Sequence, residues 1–210
     1  VCVLLASALD VRSLARSRSS LLRSRRLSRA LRRFAETCLT SPSSSPPLAF
    51  SAFGMIDSIV TSAERNSDLV GLALNPEDAY SLESEGKRAI YIGIENGYPI
   101  GNDLSNIDLF FERGVRYITL VHSSNNDLAD SATDPNGSEH GGLSDFGSEV
   151  VKEMNRLGIM VDVSHGNDSL FYDAISLSKA PIIASHSNAR AITNHDRNMS
   201  DEMLKLIAKN

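Results

Sequence analysis

The feature that most constrains the fold of this chain is a regular alternation of apolar and amphipathic runs from about residue 50 onward. Four apolar runs rich in β-forming residues are each followed by a helical pattern. Such alternation predicts parallel strands that are joined by helical crossovers and buried on both faces. The predicted strands lie at residues 88–97, 115–126, 159–165 and 181–187.

The predicted helices carry end signals of their own. Asn75 is the expected N-cap of the segment NPEDAYSLESEG, and Ser144 and Ser200 are the expected caps of two later helices. No G-x-G-x-x-G follows the first strand, so a (β/α) barrel is favoured over a dinucleotide-binding fold. The predicted helices lie at residues 51–65, 75–86, 104–114, 143–158, 167–180 and 199–210.

The first 47 residues are of a different kind. Residues 1–50 hold nine Arg, no Lys, one Asp and one Glu, a net charge of +7, and a Ser/Pro linker, TSPSSSPP, ends the segment. An organellar targeting peptide and a basic arm for nucleic acid or membrane are open readings. A third is that residues 1–47 belong to no folded domain and reflect an incorrect gene start. We favour this third interpretation and predict that the fold is confined to residues 48–210.

Charge and hydropathy exclude two classes of partner for residues 51–210. They hold 12 basic and 24 acidic residues, a net charge of −12, which does not suggest nucleic acid binding. No apolar run approaches the roughly 18 residues of a membrane span, so membrane anchoring has no support. Cys2 and Cys38 both lie near the N-terminus, and the compartment stays open.

Each predicted strand ends in a titratable side chain: Glu95, His122, His165 and His186. The carboxyl ends of parallel barrel strands lie at one rim, so these four groups are expected to converge there. A lone histidine at a strand end is more often structural, but four equivalent positions favour a functional site. His140 and His195 lie in polar segments and are expected to be solvated.

One carboxylate with several imidazoles at a barrel rim indicates metal-assisted hydrolysis. Imidazole nitrogen and carboxylate oxygen are ordinary zinc ligands, and zinc lowers the pKa of its bound water to about 7. A carboxylate can also bridge two metals about 3.5–4 Å apart, which together hold the nucleophile and the leaving group. No G-x-S-x-G elbow is present, and both cysteines lie in the N-terminal segment, so a nucleophilic side chain is disfavoured.

Several long motifs resemble the membrane (renal) dipeptidase family of zinc metallopeptidases over roughly residues 55–210. They are AIYIGIENGYPIG, RYITLVHSSNND, GLSDFGSEVVKEMNRLGIMVDVSH and APIIASHSNARAITNHDRNMSDEML. The resemblance implies a (β/α)8 TIM-type barrel, a site for two Zn²⁺ ions and hydrolysis of dipeptides.

The resemblance also implies a role for each site residue. Glu95 would bridge the two zinc ions, and His165 and His186 would both bind one of them. His122 would be the catalytic histidine that faces the substrate and polarises the scissile carbonyl. Arg197 would hold the terminal carboxylate of the dipeptide substrate.

The sequence departs from the family pattern in two places. No histidine precedes His122, so the His-x-Asp pair that binds the other zinc is missing, as is the aspartate of a late strand. About 160 residues are barrel-like, whereas such barrels run to about 250. We therefore expect an α/β fold with about four of eight barrel strands, behind a disordered or non-native N-terminal segment. Such a fragment would have reduced or no activity, and a homodimer that completes it is possible.

Other readings stay open. A non-catalytic barrel relative that acts as a binding or scaffold protein is favoured by the missing His-x-Asp pair. Another metal-dependent hydrolase, acting on cyclic amides or esters, is disfavoured by Arg197, which suits a substrate with a free carboxylate. Asp162 either orients a metal ligand from behind or is a structural strand carboxylate.

Overall fold

A computed structural model of the chain describes residues 49–210 together with the backbone of residues 2–7 and of residue 48. The strands are β1 (Cys2–Ser7), β2 (Val70–Leu72), β3 (Arg88–Glu95), β4 (Val115–Thr119) and β5 (Met160–Asp162). The helices are α1 (Leu48–Arg65), α2 (Pro76–Ser84), α3 (Ser105–Glu112), α4 (Asp145–Leu157), α5 (Asp168–Leu177) and α6 (Asp201–Ile207), with a 3₁₀ turn at Tyr98–Ile100.

Four of the strands run parallel in the order β2–β3–β4–β5. The carboxyl ends of β3, β4 and β5 are level, since Glu95 pairs with Thr119 and Thr119 pairs with Asp162. Helices α2, α3 and α4 each connect one of these strands to the next. The predicted α/β architecture with four parallel strands is confirmed, and the fold is a partial (β/α)8 TIM-type barrel.

The membership of the sheet differs from the prediction at two strands. No local pattern predicts β2, because three residues are too few to show a period of two. The predicted strand at residues 181–187 is reduced to one parallel bridge between Ile183 and Asp162. Ile183 exchanges 2.9 Å backbone hydrogen bonds with Val161 and Val163, and Pro181 has no N–H with which to extend the ladder.

β1 adds an antiparallel strand to the same sheet. Its register against β3 runs from Cys2 opposite Glu95 to Ser7 opposite Ile90. Residues 1–47 were predicted to lie outside the fold. The six residues of β1 depart from that prediction, because their apolar run pairs with the free edge of β3. The rest of that segment, residues 8–47, lies outside the described residues.

The predicted helix caps form as expected. Asn75 Oδ1 accepts a 2.9 Å hydrogen bond from Asp78 N, and Ser144 Oγ accepts one of 2.9 Å from Gly147 N. Ser200 Oγ accepts a 3.2 Å bond from the backbone of the first turn of α6. Each cap satisfies a backbone donor that the helix itself leaves unpaired, and so fixes where the helix begins.

The strand bodies are apolar and carry no part of the site. Ile92, Ile94, Ile118 and Val161 are almost fully buried. Glu95 and the three histidines of the predicted site lie at and beyond the carboxyl ends, so the site lies at one rim of the sheet. None of the described helices is long and apolar enough to cross a membrane.

Candidate metal centre

The structure brings together the four titratable side chains that were predicted to meet at the rim. Glu95 Oε1 lies 3.2 Å from His165 Nε2, 3.1 Å from His186 Nε2 and 3.8 Å from His122 Nε2. The two nitrogens of His165 and His186 are 2.9 Å apart. These groups come from positions up to 91 residues apart in the chain. They meet because parallel strands end at the same edge.

The spacing of three of these atoms fits a zinc ion. Glu95 Oε1, His165 Nε2 and His186 Nε2 are mutually 2.9–3.2 Å apart. In a tetrahedral zinc site with bonds of 2.0–2.1 Å, the ligand atoms lie about 3.3 Å from one another. The three atoms here are slightly closer together than they would be around a bound zinc ion. The ligand atoms of Glu95, His165 and His122 also form a cluster within 4.8 Å that could hold a metal ion.

The four side chains differ in their exposure to solvent, and this difference distinguishes the floor of the site from its mouth. The side chain of His165 is 5% exposed and that of Glu95 is 12% exposed. His186 and His122 are 37% and 41% exposed. His165 and Glu95 therefore form the floor of the site, and His122 is the group that a small molecule from solvent would meet first.

The backbone at the floor of the site is unusual. His165 has a φ of 72° and Asn96, next to Glu95, has a φ of 77°. Side chains other than glycine rarely adopt this left-handed region, although Asn and His tolerate it better than most. The strained turn at His165 is held by a 2.8 Å hydrogen bond from Ala132 N to its carbonyl oxygen. Such strain is typical of functional sites, where the surrounding structure fixes it.

Electrostatics favour a negative carboxylate and neutral imidazole at this rim. The hydrogen bond from His165 lowers the pKa of Glu95 below its usual value, although burial acts in the opposite direction. Burial lowers the pKa of His122, and neighbouring His165 lowers it further. At neutral pH Glu95 is therefore ionised and His122 is uncharged, which is the state that metal binding and N–H donation require.

Arg197 lies in a cleft beside the histidines, lined in part by Gly166, Ser187 and Phe171. Its Nε and Nη2 atoms are buried and have no hydrogen-bond partner among the described residues. The residue as a whole is half-buried, and Asp168 and Asp196 also line the cleft, although Asp168 is bonded to Arg190. Leaving the two buried donors unpaired costs about 1–3 kcal/mol each. Arg197 is close enough to His122 to contribute to the lowering of its pKa. The cleft thus offers an unpaired cation next to the rim.

Asp162 is fully buried next to the backbone that leads into His165 and His186. Its Oδ1 accepts 3.0 Å hydrogen bonds from the backbone N–H groups of Ser164 and Ser185, the residues just before His165 and His186. Thr119 Oγ1 donates to Oδ2 over 2.6 Å. One carboxylate therefore fixes the backbone ahead of both imidazoles.

The loop from β4 to α4 also supports the site, through hydrogen bonds that were not predicted from the sequence. Ser131 Oγ donates to the carbonyl of His122 over 2.7 Å, and the next residue donates to the carbonyl of His165. Buried Asp130 holds the loop together by accepting hydrogen bonds from Ser138, Glu139, His140 and Gly142.

Of the two histidines predicted to be solvated loop residues, one departs from that prediction. His140 is only partly exposed, and its Nε2 lies 2.9 Å from the carbonyl oxygen of Asn126. His195 is exposed as predicted, and its Nδ1 accepts a 3.1 Å hydrogen bond from Arg197 N. His140 therefore helps to hold the loop, and neither residue joins the cluster.

Comparison with known sequences decides the family. The sequence model of the membrane dipeptidase family (peptidase family M19) matches residues 51–210. This chain belongs to the membrane dipeptidase family. Dipeptidase verJ of Clonostachys rogersoniana is 43% identical over 155 residues, and Dipeptidase tcpJ of Claviceps purpurea is 39% identical over 158 residues. These matches cover 74% and 75% of this chain but only 40% and 37% of the two relatives.

Solved dipeptidase structures share the fold. The probable dipeptidase PvdM of Pseudomonas aeruginosa is 38% identical with a TM-score of 0.68, covering 74% of this chain and 43% of that one. A metallo peptidase of Rhodobacter sphaeroides, liganded with a phosphinate mimic of the dipeptide L-Ala-D-Ala, is 30% identical with a TM-score of 0.70. That match covers 76% of this chain and 46% of the other. The chain thus spans less than half the length of the dipeptidases that it matches.

Proposed function

We propose that Glu95, His165 and His186 bind a zinc ion, and that the protein carrying this chain is a zinc-dependent dipeptidase. The observation that carries the proposal is the convergence of three ligand atoms to within 2.9–3.2 Å of one another at the rim. Bound zinc would supply a Lewis acid and a water of lowered pKa, about 7, which is the nucleophile that peptide hydrolysis needs at neutral pH. In a complete site Glu95 would bridge to a second zinc.

A dipeptide is the substrate that the cleft suits best. The buried Nε and Nη2 atoms of Arg197 have no partner among the described residues, and a guanidinium fork matches a carboxylate in two parallel hydrogen bonds. The Rhodobacter relative binds a phosphinate mimic of a dipeptide. We infer that Arg197 holds the C-terminal carboxylate and so places the peptide bond over the rim.

His122 is the group that would contact the scissile carbonyl. It stands at the mouth of the site, and it is uncharged at neutral pH because its pKa is lowered. Its Nδ1 lies 3.0 Å from Ser123 Oγ, which limits rotation of the ring. A neutral imidazole can donate one N–H to the oxygen on which charge develops, and removal of one such donor costs about 10²–10³ in kcat.

These 210 residues supply one metal's ligands more completely than the other's. All five histidines lie at or after residue 122, so no His-x-Asp pair precedes the rim. We therefore propose one zinc ion per chain and very slow dipeptide hydrolysis. The second candidate is a barrel relative that binds a dipeptide but does not cleave it. The two differ in that a binding protein retains substrate affinity and shows no zinc-dependent turnover.

The test is a titration of the zinc-loaded chain with a dipeptide and with its C-terminal amide. We expect the free acid to bind more tightly, and Arg197→Met to remove that preference without loss of zinc. Lys152→Met is the matched control, because it removes an exposed cation of α4 that pairs only with Glu149 and lies outside the cleft. Equal binding of acid and amide would contradict the role of Arg197. Slow hydrolysis that stops in His165→Ala would favour the dipeptidase over the binding protein.

A further inference from the structure

The Ser185 hydroxyl lies between buried Asp162 and the ring of His186. Its Oγ donates to Asp162 Oδ2 over 2.6 Å and lies 2.8 Å from His186 Nδ1. A hydroxyl has only one hydrogen. The carboxylate must take it, because two acceptor oxygens at that distance would repel each other. The Ser185 oxygen then offers only lone pairs to Nδ1, so Nδ1 carries the ring hydrogen.

We propose that Asp162, acting through Ser185, holds His186 in the Nδ1–H tautomer and so directs the lone pair of Nε2 into the zinc site. The inference rests on the proposed zinc site, and it adds how the protein sets the tautomer of His186 before zinc binds. A neutral imidazole has one N–H and one lone pair, and the hydrogen bond at one nitrogen decides which is which. His186 Nε2 lies 2.9 Å from His165 Nε2 and 3.1 Å from Glu95 Oε1, the two other atoms of the proposed zinc site.

Asp162 and Ser185 are therefore positioning residues of the site, and they act on both the backbone and the ring of His186. The carboxylate holds the backbone just ahead of His186 through Ser185 N, and it holds the ring through Ser185 Oγ. The segment is tied further by the 3.1 Å hydrogen bond from His186 N to Ser164 Oγ. Position and tautomer are thus set together before any metal binds.

The other two imidazoles lack this arrangement. His165 Nδ1 is buried and has no hydrogen-bond partner among the described residues. His122 Nδ1 lies 3.0 Å from Ser123 Oγ, but in the described part of the chain no carboxylate accepts from that hydroxyl. Ser123 therefore provides a matched control, since it makes the same serine–histidine contact without a carboxylate behind it.

The first test reads the tautomer directly in the metal-free 210-residue chain. Long-range ¹H–¹⁵N correlation spectra distinguish Nδ1–H from Nε2–H, and His186→Gln assigns the peaks. We expect Nδ1–H at His186 in the wild-type chain and in Ser185→Thr, which keeps the hydroxyl. In Ser185→Ala we expect a shift toward Nε2–H, whereas Ser123→Ala leaves His186 unchanged.

The second test measures zinc affinity by competition with a chelator. Loss of a group that orients a metal-binding histidine typically weakens metal binding about 10–100-fold, and we expect this range for Ser185→Ala. Ser185→Thr should restore affinity close to that of the wild type, and Ser123→Ala should not change it. A role in folding alone would not move the tautomer and the affinity together.

The outcomes separate this inference from the proposed function. A wild-type His186 with its hydrogen on Nε2 overturns the inference, and so does a Ser185→Ala chain that keeps both tautomer and affinity. A chain that shows the Nδ1–H tautomer, loses it in Ser185→Ala and yet binds no zinc supports the positioning role. That last result would contradict the zinc site instead.

Discussion

Asp130→Asn is the substitution for which the structure gives the most definite energetic expectation. The Asp130 side chain is fully buried and accepts hydrogen bonds from one hydroxyl and three backbone N–H groups of its own loop. Burial by itself raises the pKa of this carboxyl, but the hydrogen bonds from Ser138, Glu139, His140 and Gly142 outweigh it and lower the pKa to about 2.

The magnitude follows from the difference between the folded and unfolded pKa. A carboxyl that ionises near 3.8 when unfolded and near 2 when folded stabilises the fold by about 2 kcal/mol at neutral pH. Because the folded pKa is depressed, this contribution is fully present well above pH 4 and is lost as the pH falls toward 2. About half of it remains at pH 3.

In Asp130→Asn the amide oxygen can keep some of the four donors, while its NH₂ group faces the others. We expect a loss of about 2–3 kcal/mol in the free energy of unfolding at pH 7, since buried donors are left unpaired. Urea denaturation of both proteins at pH 7, 5 and 3 measures it. The other carboxyls titrate in both chains, so the difference between them isolates Asp130. The difference should shrink as the pH falls.

A result within about 0.5 kcal/mol of the wild type at pH 7, the range of ordinary surface substitutions, would refute this reasoning. A difference that stays constant down to pH 3 would refute its electrostatic part. The loop also holds the carbonyls of His122 and His165, so Asp130→Asn should weaken zinc binding as well. Ser138→Ala removes a single donor and is the milder comparison.

Two further substitutions test the packing and polar contacts around the rim. Gly93→Ala should destabilise the chain by about 1–3 kcal/mol, because an added Cβ would lie 2.0 Å from the Tyr117 ring in a closely packed sheet; thermal unfolding measures it, and an unchanged midpoint would contradict it. Asn126→Ala should cost about 2–3 kcal/mol, since this buried amide donates to Asn96 and to the carbonyl of Leu120, just after β4, and accepts from two backbone N–H groups. Urea denaturation measures that loss, and a value under 1 kcal/mol would count against it.

The positions of the site residues were predictable because the signal was repeated. Apolar strand bodies that each end in Glu or His place the titratable side chains at one edge whatever the details of the turns. Glu95, His122, His165 and His186 were found in this way, and the structure brings all four together. Their assignment as zinc ligands and catalytic group remains a prediction.

The parts that sequence reasoning missed are set by contacts between distant segments. β2 has only three residues, and the segment at residues 181–187 bonds its neighbour at Ile183 alone. The hydrogen bonds of Asp162 span 23 residues to Ser185 and 43 residues to Thr119, and no local sequence pattern predicts them. Asp130 carries no sequence signal of its burial, and Asn126 ends a predicted strand, residues 115–126, that in the structure stops at Thr119.

The zinc content of the purified 210-residue chain, after dialysis against a weak chelator, is the most direct test of the proposed zinc site. The account predicts one zinc ion per chain, retained in His195→Ala and lost in His165→Ala and His186→Ala. Two zinc ions per chain would mean that the second metal's ligands come from elsewhere, for example from a second copy of the chain. A well-folded wild-type chain that holds no zinc, or equal zinc in all four proteins, would contradict the account.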